Sequence, residues 1–350
     1  MLRTMIRKTS EAIIMITIMF LSMISVTGCG KQSEDQKLPV KVLIIPKFEI
    51  GGMTGDFPGE AQFFYDEYLA GGQEFVIKGF EEKNRLYYKD GIALWLAGQG
   101  KVSAALSTTA VLSDERFDFT EAYILSEGCG GASEGIGILG DVFVISGSAD
   151  FDLGHRADHR EMSDEIETTW FHDHHFDEYA YVNLDQDLTD KVYELIKDTK
   201  LKTTEKATAF LQKEYPDEAW ANREPKVMRG VSVTGDSFWK GKYEHRNAIL
   251  IVESYGFDEP YAITEMEDIA IGKVMEEYGL LDRLIDLRVV VNLDVFASGV
   301  TPEMLWGPLS KEYLASPESL ESIDVFEVGM ENCFKAGKII IDAILNGKLS

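Results

Sequence analysis

Thr264-Glu265-Met266-Glu267-Asp268-Ile269-Ala270 sets a thioether beside carboxylates where a run of β-type residues gives way to a helix start. A carboxylate at such a junction can accept two hydrogen bonds from a vicinal diol. A methionine next to it can cover the apolar face of a sugar. On a helix Glu265 and Glu267 would point in different directions, so they do not make a paired-carboxylate site. Apolar residues recur at Ile269, Ile271, Val274 and Met275, roughly a helical stripe. The plainer reading of the acids is a first helical turn that complements the helix dipole, and the local sequence alone favours it.

Three further stretches offer chemistry. Val227 to Val233 reads as a strand that leads into Thr234-Gly235-Asp236-Ser237-Phe238-Trp239, an aromatic pair after a glycine turn. Such a pair can stack on a planar base or simply fill a core. Leu287 to Val291 reads as an apolar strand ending at Asn292-Leu293-Asp294, and open α/β sheets place ligands at strand C-termini. Val40 to Pro46, a loop with four glycines from Lys47 to Gly59, and a helix from Ala61 to Leu69 form a strand, loop and helix start, a common anion or ligand cradle. Glu60 would sit in that helix's first turn. Five of the six histidines fall between His155 and His175. The run His172-Asp173-His174-His175 matches no zinc spacing, and three near-contiguous side chains cannot converge from one regular element, so a solvated loop is expected there and no metal. No cofactor is implied.

These stretches need a framework, and the rest of the chain supplies one. Arg85-Leu86-Tyr87-Tyr88 and Ile92-Ala93-Leu94-Trp95-Leu96 predict a hairpin about Lys89-Asp90-Gly91. A small-residue helix follows from Val102 to Leu112, then a strand over Ala122 to Leu125, a turn at Gly128-Cys129-Gly130-Gly131 and a strand over Gly140 to Ile145. Alternating strands and helices argue an α/β fold rather than a sandwich. From Asp150 to Pro225 polar residues dominate, and a helical elaboration is expected over about 155–225, with one amphipathic helix spanning Leu188 to Leu211. A helix over Ser322 to Leu345 closes the chain.

The N-terminus carries Arg3, Arg7 and Lys8, an apolar run from Ala12 to Met23, and Val26-Thr27-Gly28-Cys29. This reads as a signal peptide over 1–28, its h-region too short for a span. The small residues before Cys29 resemble the lipobox of bacterial lipoproteins, with Cys29 lipidated and 29–38 a polar tether. The expected location is therefore the extracytoplasmic face of the cell membrane, with the lipid as the membrane contact. Residues 1–28 hold three basic residues and one acidic residue, so the remainder carries a formal charge of −28. That surface repels nucleic acid and anionic lipid, and excludes both as partners. Cys129 and Cys333 sit in apolar or glycine-rich contexts and indicate no disulfide framework. Homo-oligomerisation is left open.

Together these segments resemble the purine nucleoside permease family, related to the nucleoside phosphorylase type I superfamily. The residues that carry it include Val42-Leu43-Ile44-Ile45-Pro46, Gly55-Asp56-Phe57-Pro58-Gly59-Glu60, Gly98-Gln99-Gly100-Lys101-Val102, Gly235-Asp236-Ser237-Phe238-Trp239 and Thr264-Glu265-Met266-Glu267-Asp268. The resemblance implies a three-layer α/β/α fold with a mixed central sheet over 39–350, and a purine nucleoside as ligand. It implies that Met266 and Glu267 hold the ribose hydroxyls, that Phe238 stacks on the base with Trp239 in the same wall, and that Cys129 and Gly130 lie against the nucleoside. Asn292 would hydrogen-bond the purine, and Glu60 is the candidate base for an attacking water. Relatives that use phosphate carry an Arg-x-x-Ser pattern where this chain has Leu125 and Gly128, and Glu127 stands where glycine is usual. Inorganic phosphate as a co-substrate thereby loses two donors, for which Lys47 and Lys101 could compensate. The function implied is nucleoside binding linked to transport, with N-ribosyl cleavage, hydrolytic or phosphorolytic, as the alternative.

Overall fold

The computed structural model describes residues 37–82, 84–163, 168–314 and 323–349. The signal peptide expected over 1–28, Cys29 and nearly all of the expected tether lie outside these residues. Ten strands make the main sheet. They are β1 Val42–Ile45, β2 Gln73–Phe75, β3 Leu86–Lys89, β4 Ile92–Leu94, β5 Tyr123–Ala132, β6 Val142–Asp150, β7 Tyr181–Asn183, β8 Val227–Thr234, β9 Tyr261–Glu265 and β10 Leu284–Leu293. The principal helices are α1 Lys101–Leu112, α2 Gln186–Ile196, α3 Glu205–Glu214, α4 Lys242–Tyr255, α5 Asp268–Tyr278 and α6 Ile323–Leu345.

The strand order is β7-β6-β8-β9-β5-β1-β4-β3-β2, and β10 pairs with both β5 and β6. β8 runs parallel to β6 and β9, while β9 meets β5 antiparallel. β10 is parallel to β5 and antiparallel to β6. The sheet is mixed, and β6, β8, β9, β5 and β10 close a ring of hydrogen-bonded strands. All four residues of β1 and all nine of β6 are buried, which is why both read as runs without a polar alternation. Helix α6 packs on β5 and β10, with α2 beside it. Its Ala336, Ile340 and Ile341 are fully buried, each isoleucine worth about 1.5–3 kcal/mol by area. Helix α5 packs on β6 and β8, and α1 packs on α5. Helices thus flank a mixed sheet, the expected α/β/α arrangement.

Three local expectations need correction. Gly128-Cys129-Gly130-Gly131 is no turn but lies within β5. A Cβ on Gly130 would approach the Thr264 carbonyl oxygen to 2.6 Å, so this run is glycine-rich for close approach to β9, not for bending. The single helix expected over Leu188 to Leu211 is two. Asp185 caps α2 through Leu188 N–H, and Thr204 caps α3 through Ala207 N–H, a second start signal inside the amphipathic run. Of the elaboration over 155–225, only the later part is largely helical. Its first part holds an antiparallel pair, His155–Arg156 with Trp170–Phe171, two 3-10 turns and β7, an edge strand of the main sheet. Among the described residues no helix is long and apolar enough to cross a membrane.

Candidate functional site

The strand-to-helix junction at 264–270 divides its acids by role. Glu265 is the last residue of β9, and α5 begins three residues later. The Glu265 carboxylate turns back on the helix start: Oε2 accepts the N–H groups of Glu267 (2.6 Å) and Asp268 (2.7 Å), and Oε1 meets the Thr234 hydroxyl. Thr234 Oγ1 also accepts Ile269 N–H at 3.0 Å. Glu265 is therefore the helix cap. Glu267 instead reaches across to the N-terminus of α1, where its Oε1 accepts the Gly100 N–H at 2.9 Å. Gly100 holds φ at +84°, a conformation glycine adopts freely.

Beneath this junction lies a charge cluster that was not singled out in the sequence. Arg288, in the middle of β10, is 1 % exposed and lies against four carboxylates. Its tightest partner is Asp268, with Nε 3.0 Å from Oδ1 and a further bond from Nη2. Burial works against a charge on Asp268, but Arg288 outweighs it and holds that carboxyl below its ordinary range. The surplus acids go the other way. Burial and the Asp268 charge push Glu265 up to about 8 and Asp286 well above the carboxylate range. Burial also raises Glu267, and Arg288 and Lys47 oppose that rise. With Arg288 already paired to Asp268, burial favours the neutral forms of Glu265 and Asp286. A lone arginine inside an apolar strand was the available signal, since a fully buried arginine must be paired.

Above the cluster opens a cavity of about 260 Å³. It is lined by all eight candidate residues: Glu60, Cys129, Gly130, Phe238, Trp239, Met266, Glu267 and Asn292. Lys47 and Glu265 also line it, and Phe48, Gln99, Val291 and Phe326 are wall residues without an expected role. The two aromatics differ in kind. Trp239 is buried and stacks on Phe151 at 4.9 Å and 12°, whereas Phe238 is 55 % exposed and meets Trp306 edge-on at 6.0 Å. Phe238 is the one free to cover a ligand face, and Trp239 is fixed wall. Asn292 is buried, with Nδ2 3.1 Å from the Leu293 carbonyl. Asp294, two residues on, does not line the cavity; its Oδ2 accepts from His245 Nδ1 (2.8 Å) and Tyr261 Oη (2.7 Å). Burial and the neighbouring Glu60 raise the Cys129 thiol well above its ordinary range, which disfavours the nucleophilic thiolate.

Glu60 is 3 % exposed, its Oε2 accepting Lys47 N–H at 2.7 Å and its Oε1 Cys129 N–H at 2.9 Å. A Cβ on Gly128 would sit 2.7 Å from Glu60 Oε1 and 2.8 Å from Arg288 Nη1, so glycine lets these two groups approach across β5. The first-turn role expected of Glu60 falls to Glu49, which accepts the N–H groups of Gly59, Ala61 (3.0 Å) and Gln62 (2.6 Å). Both lysines named as substitutes for missing phosphate donors are engaged. Lys47 Nζ donates to Ser126 Oγ and to the Glu127 carbonyl, each at 2.8 Å, and Lys101 Nζ pairs with Asp150 (2.9 Å) and Asp152 (2.8 Å). Glu127 does not line the cavity. Its carboxyl lies fully buried beside Cys333, and burial raises it well above the ordinary range, which favours the neutral form.

The comparisons bear on this arrangement. The model of the purine nucleoside permease (NUP) family matches residues 39–348, and the chain belongs to that family. A probable purine nucleoside permease of Schizosaccharomyces pombe is 28 % identical over 291 residues, covering 75 % of this chain and 80 % of that one. Among solved structures, the 5'-methylthioadenosine/S-adenosylhomocysteine nucleosidase of Helicobacter pylori superposes with a TM-score of 0.52 at 13 % identity, over 87 % of this chain and 99 % of that chain. A futalosine hydrolase mutant of Helicobacter pylori gives 0.52 at 14 % identity, with 87 % and 99 % covered. The fold is that of these nucleosidases.

Proposed function

We propose that this member of the purine nucleoside permease family binds purine nucleosides outside the cytoplasmic membrane and delivers them to an uptake system. In this reading residues 1–28 are a signal peptide, Cys29 carries a lipid, 29–38 is a tether and 39–350 is the binding domain. The observation that carries the reading is the convergence of an aromatic wall, a methionine–carboxylate pair and an amide on one cavity. Each answers one part of a nucleoside. Phe238 offers a face to the base, Asn292 a donor and an acceptor to the purine edge, and Glu267 an acceptor for the ribose diol. The relative from Schizosaccharomyces pombe supports the link to transport through its name.

N-ribosyl cleavage is the second reading, favoured by Glu60 and Asn292 lining the same cavity as Met266 and Glu267. Water would attack C1′ as the N9–C1′ bond breaks with its electron pair leaving on the purine. Glu60 would take the water's proton, and Asn292 would stabilise the charge on the departing base, which then takes a proton from solvent. The test incubates purified protein with inosine, with and without phosphate, and measures bound inosine, hypoxanthine, ribose and ribose 1-phosphate. Saturable inosine binding without release supports delivery. Release independent of phosphate supports hydrolysis. Absence of saturable inosine binding overturns both, and phosphate-dependent formation of ribose 1-phosphate overturns the hydrolytic route.

A further inference from the structure

We propose that His172, His174 and Asp177 form a binding site for a divalent transition-metal cation, Zn²⁺ foremost, apart from the nucleoside cavity. Their ligand atoms all lie within 4.8 Å of one another. His172 Nε2 is 2.7 Å from Asp177 Oδ1, and His174 Nδ1 is 3.0 Å from Asp177 Oδ2, so one carboxylate sits between two imidazoles. Convergence is achieved because no regular element carries all three. His172 follows the two-residue strand Trp170–Phe171, His174 opens a 3-10 turn, and Asp177 opens the helix Asp177–Ala180. Asp173 caps that turn by accepting the His175 N–H.

The site is part fixed and part adjustable. His172 stacks on Trp170 at 5.8 Å and 13°, and packs edge-on against Tyr255 at 5.1 Å. The His174 side chain is 86 % exposed and, beyond its bond to Asp177 and a ring contact with His172 at 4.4 Å, faces solvent. A cation about 2.0–2.2 Å from each donor sets tetrahedral ligand atoms about 3.3–3.6 Å apart. His172 and His174 contact different oxygens of Asp177, and one ligand atom from each of the three residues already lies within 4.8 Å of the others, so a small rotation of the exposed His174 ring brings the set to that spacing. Two imidazoles and one carboxylate suit Zn²⁺, Cu²⁺ or Ni²⁺ rather than Mg²⁺ or Ca²⁺, which prefer oxygen ligands. Three protein ligands leave a fourth position for solvent.

The same segment is tied to the wall of the cavity. Trp170 Nε1 donates to the Leu153 carbonyl at 3.0 Å, and Asp152 beside it pairs with Lys101 and accepts the Asp236 N–H. A bound cation would therefore brace the loop that supports this edge.

The test titrates Zn²⁺, Co²⁺ and Mg²⁺ into protein purified without a histidine tag, by calorimetry and by competition with a chelator. One saturable equivalent of Zn²⁺ is expected, with visible absorption bands for Co²⁺ and no matching Mg²⁺ isotherm. His174→Ala and Asp177→Asn should each weaken Zn²⁺ by about tenfold or more. His174 is exposed, so its variant should keep the wild-type circular dichroism spectrum and melting curve. The proposal is overturned if no saturable equivalent appears, if both variants bind as wild type, or if Mg²⁺ binds equally, which would assign binding to the acidic surface.

Discussion

Replacing Glu267 by glutamine keeps the shape of the side chain and removes one acceptor and its charge. The amide carbonyl can still take the Gly100 N–H now held at 2.9 Å, so the link between α5 and α1 survives. The NH₂ group then stands where Oε2 lies, 3.7 Å from Arg288 Nη2, beyond hydrogen-bond range. Little stability should be lost, within about 1 kcal/mol. Binding is another matter. Hydrogen bonds to a charged partner are worth about 1.5–3 kcal/mol and neutral ones about 0.5–1.5, so two ribose bonds lose about 2–3 kcal/mol. Inosine affinity should fall about 30- to 150-fold, with hypoxanthine affinity nearly unchanged, both read by calorimetry. The pH dependence gives a second check. Burial raises the Glu267 pKa, and the ionised form is the one that accepts from the diol. Wild-type affinity should weaken as pH falls through that raised value, and the glutamine variant should show a flat profile over the same range. Equal losses for inosine and hypoxanthine, or a melting temperature lowered as much as affinity, would refute the ribose contact.

Glu60→Gln should abolish most of any purine release, measured with inosine. It should also cost about 1.5–3 kcal/mol of stability in denaturant melts, because one of the two buried N–H groups now bound to the carboxylate would face an NH₂. Stability should decline as pH rises from about 4.5 to about 8, at up to about 1.4 kcal/mol per pH unit for each proton involved. The sign follows from Glu265, raised from 4.5 to about 8: the native state keeps a proton that the unfolded chain has released, so this stabilisation is whole below 4.5 and is lost as pH rises through about 8. Glu265→Gln should flatten that decline in thermal melts, and an unchanged slope would remove Glu265 as its source. Cys29→Ala should release the protein from the membrane fraction or block its processing, as read by fractionation and mass spectrometry; unchanged retention with normal processing would count against the anchor.

The framework was legible because its strands are buried and its turns carry their own chemistry. The hairpin of β3 and β4 follows from Lys89-Asp90-Gly91, with Asp90 and Gly91 at φ +53° and +89°. Candidate residues could be named where an unusual pair sits at a strand end, as Met266-Glu267 and Phe238-Trp239 do. What sequence order hides is the pairing of distant polar groups. Glu49 and Glu60 look interchangeable near one helix start, yet one caps the helix and the other reaches the cavity. Glu127 looks like a charge beside the ligand, but it faces Cys333 in the core, since the alternation of β5 decides which face it takes. Arg288 was passed over inside an apolar run because its partners lie on β9, the start of α5 and β10 itself.

The electrostatics of the cavity now argue against an anionic co-substrate on grounds the sequence did not offer. Glu127 faces Cys333 in the core and not the cavity, and burial favours its neutral form. What counts instead is the state of the donors. A phosphate binds where backbone N–H groups at a helix start, or an unengaged lysine or arginine, can meet it. Among the described residues, three helix starts beside this cavity already hold an acceptor of the protein itself. Glu49 takes Ala61 and Gln62, Glu267 takes Gly100 while Asp236 takes Lys101 N–H, and Glu265 takes Glu267 and Asp268. The nearby cations are committed likewise, Lys47 to Ser126 and a carbonyl, Lys101 to two aspartates, and Arg288 to Asp268. A dianion would have to displace carboxylates from these donors and lose its own hydration, whereas a neutral nucleoside needs only an acceptor, an amide and an aromatic face. A cavity so arranged suits the uncharged nucleoside of the proposed reading better than a dianion, and under the cleavage reading water is the co-reactant it would admit at least cost.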